Sequence, residues 1–185
     1  MDNPIVKGDE VRHGTYIYLD AISKEIIDSL GDTPLSEALL YSLNDGSIPF
    51  FPTTAKQVVQ LAKAADGLAF TVRLRTDKKC IGVCRLGDIS WQSRHARLHI
   101  SILEESCFTV DILADTIQTI LQFAYWEANL NRIYVYCIED TRLLRQALEQ
   151  VGFTNEGRLR QEVYRDKRYL DKLIYGILCR EWSAF

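Results

Sequence analysis

A chain of 185 residues has the length of one domain, and 47% hydrophobic with 25% charged residues describes a globular fold with a sizeable core and excludes a disordered chain. A net charge of -3 argues against a nucleic-acid or membrane-surface protein, because phosphate contacts need clustered Lys and Arg. No charged start followed by an apolar run marks a signal peptide, and charges interrupt every apolar stretch well short of the roughly 20 residues that span a bilayer, so the expected location is cytoplasmic.

Residues 11–19 read as a strand with Tyr16 and Tyr18 on one face. Residues 21–30 and 36–43 read as short helices, interrupted by Gly31, Asp32 and Pro34. Pro49, Phe50, Phe51 and Pro52 form a loop, after which Thr53 or Thr54 caps a helix running to about Ala65. From Gly67 the pattern sharpens. Residues 68–75 alternate apolar and polar, 76–79 are a polar turn, and 80–89 complete a hairpin. A further turn at 92–95 leads into a strand over 96–103, with Leu98, Ile100 and Ile102 on one face.

A helix from Ile112 to about Asn129 places Leu113, Ile117, Ile120, Leu121 and Ala124 on one stripe. Residues 132–137 are a β-branched and aromatic strand. Residues 141–151 form a helix with Leu144, Ala147, Leu148 and Val151 inward, and Gly152 stands where a left-handed C-cap belongs. Strands over 155–164 and 169–180 make a final hairpin. The expected architecture is α+β (mixed α/β), a mostly antiparallel central sheet with flanking helices and one βαβ crossover. A single domain over 1–185 is expected, with a helical N-terminal segment at 1–66 and a core at 67–185.

The run Gly152-Phe-Thr-Asn-Glu-Gly157, then Leu159-Arg160, Tyr164, Tyr169-Leu-Asp171, Tyr175-Gly176 and Glu181-Trp182, resembles the GNAT N-acetyltransferase superfamily in its ribosomal-protein N-acetyltransferase branch. Ala128-Asn-Leu-Asn-Arg-Ile133 is similar to that family's helix-to-strand junction. The resemblance implies a GNAT fold and direct transfer of an acetyl group from acetyl-CoA to an amine, without a metal. The acceptor it implies is a small-molecule or peptide amine. It also implies a glycine-rich loop that aims backbone N–H groups and a helix N-terminus at the cofactor pyrophosphate.

Counting back from Asn131-Arg-Ile133 puts that loop at Phe108-Thr-Val-Asp-Ile-Leu-Ala-Asp115, with Thr109 and Asp111 at the two glycine positions. The implied cofactor-binding positions are Ile102, Leu103, Phe108, Thr109, Val110, Asp111, Ile112, Leu113 and Thr141. Asp111 would set a carboxylate beside the phosphates, and it is a favourable N-cap residue that satisfies the helix N–H groups itself. Thr141 and Leu144 replace the Asn and the small residue that line the pantetheine side in the family. The resemblance implies acetyl-CoA as cofactor while the loop argues against its ordinary binding, and the alternative to an acetyltransferase is an inactive GNAT-fold module that binds a protein or small-molecule partner.

Catalytic candidates are few. Arg97 stands where many family members carry a proton-accepting carboxylate, and His99, two residues on along the same face, offers either a base or a structural strand His. Glu104 and Glu105 read as a base or as a solvated acidic corner. Tyr164 and Tyr169 read as thiolate protonators or as a cross-strand aromatic pair. Cys80, Cys84, Cys107, Cys137 and Cys179 form no zinc pattern and read as reduced thiols, with Cys107 a conceivable nucleophile beside the loop. Phe50, Phe51, Tyr164 and Tyr169 read as acceptor-cleft lining or as core, and the final hairpin reads as an edge for a possible homodimer.

Overall fold

The computed structural model describes residues 12–32, 34–36 and 54–182. The alternation at 68–103 folds as three consecutive antiparallel strands, β3 (Leu68–Leu74), β4 (Cys80–Ser90) and β5 (His95–Ile102). Upstream, β1 (Arg12–His13) and β2 (Ile17–Ala21) extend the sheet from the β3 edge. Downstream, β6 (Arg132–Ile138) lies parallel to β5, and β7 (Thr154–Arg165) and β8 (Arg168–Leu178) close the chain as a hairpin. Among the described residues these eight strands make one sheet in the order β1-β2-β3-β4-β5-β6-β8-β7. The single parallel pair is the expected βαβ crossover.

The crossover is α3 (Val110–Gln122), and α4 (Arg142–Val151) follows β6. Leu113, Ile117, Ile120 and Leu121 of α3, with Ala147, Leu148 and Val151 of α4, pack on the sheet face formed by Ala96, Leu98, Ile102, Ile133, Val135 and Cys137. Burying each large aliphatic side chain there stabilises the fold by about 2 kcal/mol. On the opposite face Val83 packs against Ile27 of α1 (Lys24–Ser29) and against Val58 and Val59 of α2 (Ala55–Ala64). Thr54 caps α2 through a full capping box with Gln57, and Gly152 ends α4 at φ 101°, both as the sequence requires.

Four expectations need correction. The strand over 11–19 is two strands: Gly14, Thr15 and Tyr16 turn between β1 and β2, so Tyr16 does not share a strand face with Tyr18. The helix at 21–30 shortens to α1, because Ser23 caps it by accepting from the Ile26 N–H. The helix expected at 112–129 starts at Val110, and its last turn widens into a π-turn at Phe123–Glu127, closed by the Ala128 N–H donating to the Phe123 carbonyl. Phe123, Ala124 and Tyr125 are all buried in that wider turn. Asp111 is not the N-cap; Thr109 is. The helix expected over 36–43, beyond Ser36, and the loop residues Pro49, Phe50, Phe51 and Pro52 lie outside the described residues.

The C-terminal family signature has a physical reading. Arg132 forms a two-pronged pair with Glu156 across β8, where Gly176 leaves room: a Cβ at Gly176 would lie 2.5 Å from Glu156 Oε1 and 2.6 Å from Arg132 Nη1. Asp171 accepts from the Gln161 N–H at 2.8 Å, holding an irregular stretch of β7 in which Gln161 adopts φ 56°.

One carboxylate ties the N-terminal turn to α3. Asp115 accepts from the backbone N–H groups of Thr15, Tyr16 and Ile17 at 2.8, 2.7 and 3.0 Å. Gly14 permits the approach, since a Cβ there would lie 2.5 Å from Asp115 Oδ1. Asp115→Ala strands three donors, so urea unfolding should show a loss of about 2–3 kcal/mol, with Asp115→Asn losing less.

Candidate functional site

Strands β5 and β6 pair through His95–Arg132, Ala96–Ile133 and Arg97–Tyr134, and then stop pairing. Beyond that point β5 continues against β4 as far as Ile102, while β6 continues against β8 as far as Ile138. The two strands therefore part toward their carboxyl ends, and among the described residues no strand pairs the facing backbone edges. The N-termini of α3 and α4 both follow from this end, the place where open sheets with parallel strands take ligands.

The loop from β5 to α3 satisfies itself. Cys107 N–H donates to the Glu104 carbonyl, Phe108 N–H to Glu105 and Thr109 N–H to Cys107, at 3.0, 3.1 and 2.9 Å. Thr109 Oγ1 accepts from the Ile112 N–H at 3.3 Å, and the Leu113 N–H donates to the Thr109 carbonyl at 3.0 Å. Only Val110 and Asp111 keep first-turn N–H groups that the helix cannot use. None of residues 104–111 adopts a left-handed φ, so the loop has taken a course that needs no glycine. The exposed Asp111 carboxylate stands in that first turn. These residues do not fit a pyrophosphate: one backbone donor of the cradle is capped, others are consumed, and the charge beside the remaining two has the wrong sign.

The other loop positions contribute less than their spacing suggests. Ile102 and Leu113 bury their side chains in the core, and the Leu103 N–H donates to the Ile81 carbonyl at 2.7 Å. Phe108, Val110 and Ile112 pack partly against the same core. Thr141 donates both its hydroxyl and its N–H to the Ile138 carbonyl, at 2.6 and 3.0 Å, and offers α4 no side-chain cap.

Catalytic candidates scatter. Glu105 lies with Glu104 in a different place, a cavity of about 670 Å³ lined also by Ile26, Leu30, Ala55 and Lys79. Tyr164 and Tyr169 pair directly across the β7–β8 hairpin with ring centroids 5.0 Å apart, exposed by 64% and 61%. That is the cross-strand aromatic arrangement. Cys107 packs partly on the main core, its Sγ 3.9 Å from Ser106 Oγ, and all five cysteines are free. Burial pushes the Cys137 thiol up to about 11. Among the described residues no group of His, Cys, Asp or Glu is placed to hold a metal, and no helix is long and apolar enough to cross a membrane.

His99 stands on the sheet face opposite α3, in register with Arg85 on β4. Burial, with Arg97 and Arg85 adding to it, pushes its pKa down to about 3, and its Nε2 is buried without a hydrogen-bond partner. It is a neutral imidazole and a poor proton acceptor at neutral pH. The same face carries Arg97 with its guanidinium 4.6 Å from the Tyr136 ring centroid, and Lys172 with its Nζ 5.6 Å from that ring. Neither Tyr136 nor Lys172 was singled out by sequence reasoning. The legible signals were Tyr134 and Tyr136 alternating with Ile133 and Val135, and a lysine just before the apolar run Leu173-Ile174-Tyr175.

Because His99 is depressed in the folded state, the unfolded chain binds its proton first. Stability should fall as pH drops from about 6.5 toward 3, with a slope of up to about 1.4 kcal/mol per pH unit. His99→Gln should flatten that limb in urea titrations at stepped pH, while leaving stability near pH 8 little changed.

The family model described as an acetyltransferase (GNAT) domain matches residues 55–174. A relative from Bacillus subtilis (strain 168), named ribosomal N-acetyltransferase YdaF, is 28% identical over 133 residues, covering 72% of this chain and 69% of that protein. Among solved structures, a GNAT-family acetyltransferase from Bacillus anthracis has a TM-score of 0.72 at 15% identity, covering 91% of this chain and 98% of that one. Spermidine N-acetyltransferase from Vibrio cholerae, in complex with CoA and spermine, has a TM-score of 0.69 at 19% identity, covering 91% and 98%. At these identities the likeness to solved structures is one of fold.

Proposed function

The chain belongs to the GNAT acetyltransferase family, and on that premise we propose that ordinary acetyl-CoA-dependent transfer to an amine has been lost at the phosphate end of its cofactor site, leaving the scaffold as a binding or regulatory module. The observation that carries this reading is the self-satisfied loop: Thr109 occupies the Ile112 N–H, and Asp111 adds a carboxylate beside the two N–H groups that remain. Two phosphates brought to that spot meet like charge where donors should be. The catalytic side agrees, because Arg97 and a neutral His99 stand where a proton acceptor is expected.

A second reading, an active N-acetyltransferase that holds its cofactor by the pantetheine arm alone, is favoured by the open edges of β5 and β6. Thermal shift or calorimetry with acetyl-CoA separates the two. A ligand at about 100 times its Kd stabilises the fold by about 2.7 kcal/mol. No shift at millimolar acetyl-CoA is the expected result, and a micromolar Kd with turnover of an amine overturns the proposal.

Restoring the cradle should restore binding. The double variant Thr109→Gly/Asp111→Gly frees one donor and removes the repulsive charge. It should tighten acetyl-CoA by about tenfold, with Asp111→Gly alone giving about fivefold. Unchanged affinity in both would mean that the phosphates do not belong at this helix start.

A further inference from the structure

A groove of about 710 Å³ follows α3 along Asp111, Ala114, Gln118 and Gln122 and ends at Trp126. These positions recur every three or four residues, so they form one stripe along the helix, beside the stripe that packs on the sheet. One wall is the N-terminal turn, which runs antiparallel to the helix: Arg12 pairs with Glu127, and the Thr15 N–H donates to Asp115. That wall brings Tyr16 to the groove, and Gln150 of α4 and Trp182 line the rest.

The lining is aromatic at one end and acidic at the other. Tyr16 is 52% and Trp126 61% exposed, large rings left in water. Trp126 meets Trp182 edge to face with ring centroids 5.5 Å apart. The Trp182 indole N–H is buried and makes no hydrogen bond, an unfavourable state unless something relieves it. Among the described residues the side-chain amides of Gln118, Gln122 and Gln150 also make none. Asp115 is occupied by the N-terminal turn, and Arg75 gives its Nη1 to the Gly14 carbonyl at 2.9 Å. Asp111 keeps an exposed carboxylate with no ion pair among the described residues.

These features select among the ways a protein takes a linear partner. The floor is a helix, so it has no strand edge for an added strand to pair with. It is built of amides and alanine, so the apolar face of an amphipathic helix finds nothing to bury against. One arginine, already bonded, makes no phosphopeptide site. Exposed rings with unused side-chain N–H groups between them suit a polyproline II segment. Its prolines pack on rings, and its carbonyls have no internal partners. Length agrees as well. From Asp111 to Trp126 the helix advances about 20 Å, which about seven residues in that conformation span at about 3.1 Å each.

We propose that this groove docks a proline-rich segment of a partner protein in polyproline II conformation, with prolines on Tyr16 and Trp126 and a basic residue at Asp111. The glutamine amides donate to its carbonyls, and the exposed Trp126 ring turns to admit one carbonyl to the Trp182 N–H. The proposal does not require the loss of acetyl-CoA binding, and it gives the binding-module reading a partner.

The test titrates the full chain with an acetylated peptide of one arginine followed by seven prolines, by calorimetry and by NMR of the indole and glutamine side-chain N–H groups. Comparison probes at the same ionic strength are the peptide with glutamate for arginine, a glycine–serine peptide of equal length carrying the arginine, and maltotriose. Saturable binding of the arginine–proline peptide is expected, moving the indole signals of Trp126 and Trp182 while that of Trp91, in the exposed β4–β5 turn, stays. The glutamate peptide should bind about fivefold more weakly, and the other two probes not at all. Trp126→Ala should weaken binding by about tenfold, and Asp111→Asn should remove the preference for arginine over glutamate. If Trp126→Ala does not fold, Gln122→Ala replaces it, with a loss of about threefold.

Silence from the arginine–proline peptide, equal binding of any comparison probe, or full affinity in folded Trp126→Ala or Gln122→Ala each overturns the proposal. A concentration-dependent dimer that Trp126→Ala abolishes assigns the groove to a second copy and also overturns it. Peptide binding together with micromolar acetyl-CoA leaves the groove standing and sinks the lost-cofactor reading. Silence from both the peptide and acetyl-CoA leaves the lost-cofactor reading and sinks the groove.

Discussion

Hydrogen bonding between β5 and β6 ends at Arg97 and Tyr134, and the site depends on that interruption. Each strand follows its other neighbour: β5 stays in register with β4 to Ile102, and β6 stays in register with β8 to Ile138. A parallel pair held in this way cannot close toward its carboxyl ends, so a gap between the two strands is built into the sheet. Because α3 and α4 both start at that end, one topological fact brings together the loop, the helix N-termini and the Arg97–Tyr136–Lys172 face. The gap is maintained by packing remote from it, chiefly the Leu113–Ile117–Ile120–Leu121 stripe of α3 on one face and the Val83 cluster on the other.

At the mouth of that gap the helix start has exchanged ligand donors for its own stability. A Thr at the cap, accepting from the Ile112 N–H, stabilises a helix by about 1 kcal/mol relative to an uncapped start. Asp111 in the first turn adds a favourable interaction with the helix dipole. The same two effects oppose phosphate, since a donor that is already bonded and a field that is already neutralised have little left for a ligand. Structural gain and loss of the cradle are one change seen from two sides.

Sequence periodicity was sufficient for most of the fold, because the core faces of β3, β5 and β6 follow a period of two and those of α3 and α4 one near 3.6, whereas β4 breaks step between Ile81 and Cys84, both in the main core. It was insufficient where a non-repeating contact decides the geometry. The turn at Gly14 that splits the first strand exists because Asp115, a hundred residues away in the chain, accepts from three consecutive N–H groups. The π-turn at Phe123–Glu127 is closed by one wide bond from the Ala128 N–H to the Phe123 carbonyl, which no periodicity signals. The cap fell on Thr109 and not Asp111 because the loop before it closes with short-range bonds that shift the first helical residue to Val110. The C-terminal signature that made the resemblance legible reports the hairpin, through Arg132 with Glu156 across Gly176 and through Asp171 at the β7 irregularity. It carries architecture and is silent about chemistry, which is why the fold was readable from those residues and the site was not.

Charge has changed sign at both ends of the same cleft. Asp111 places negative charge at the helix start, where the family resemblance implies donors for phosphate, and Arg97 places positive charge on β5, where it implies a carboxylate. Either change alone could be a local accident that the scaffold tolerates. Together with Lys172, on a strand that meets Arg97 only through Tyr136, they require three separate elements to agree on one sign at each end. The two cations share the Tyr136 ring, so the sheet face and the helix start carry opposite charge on either side of one gap.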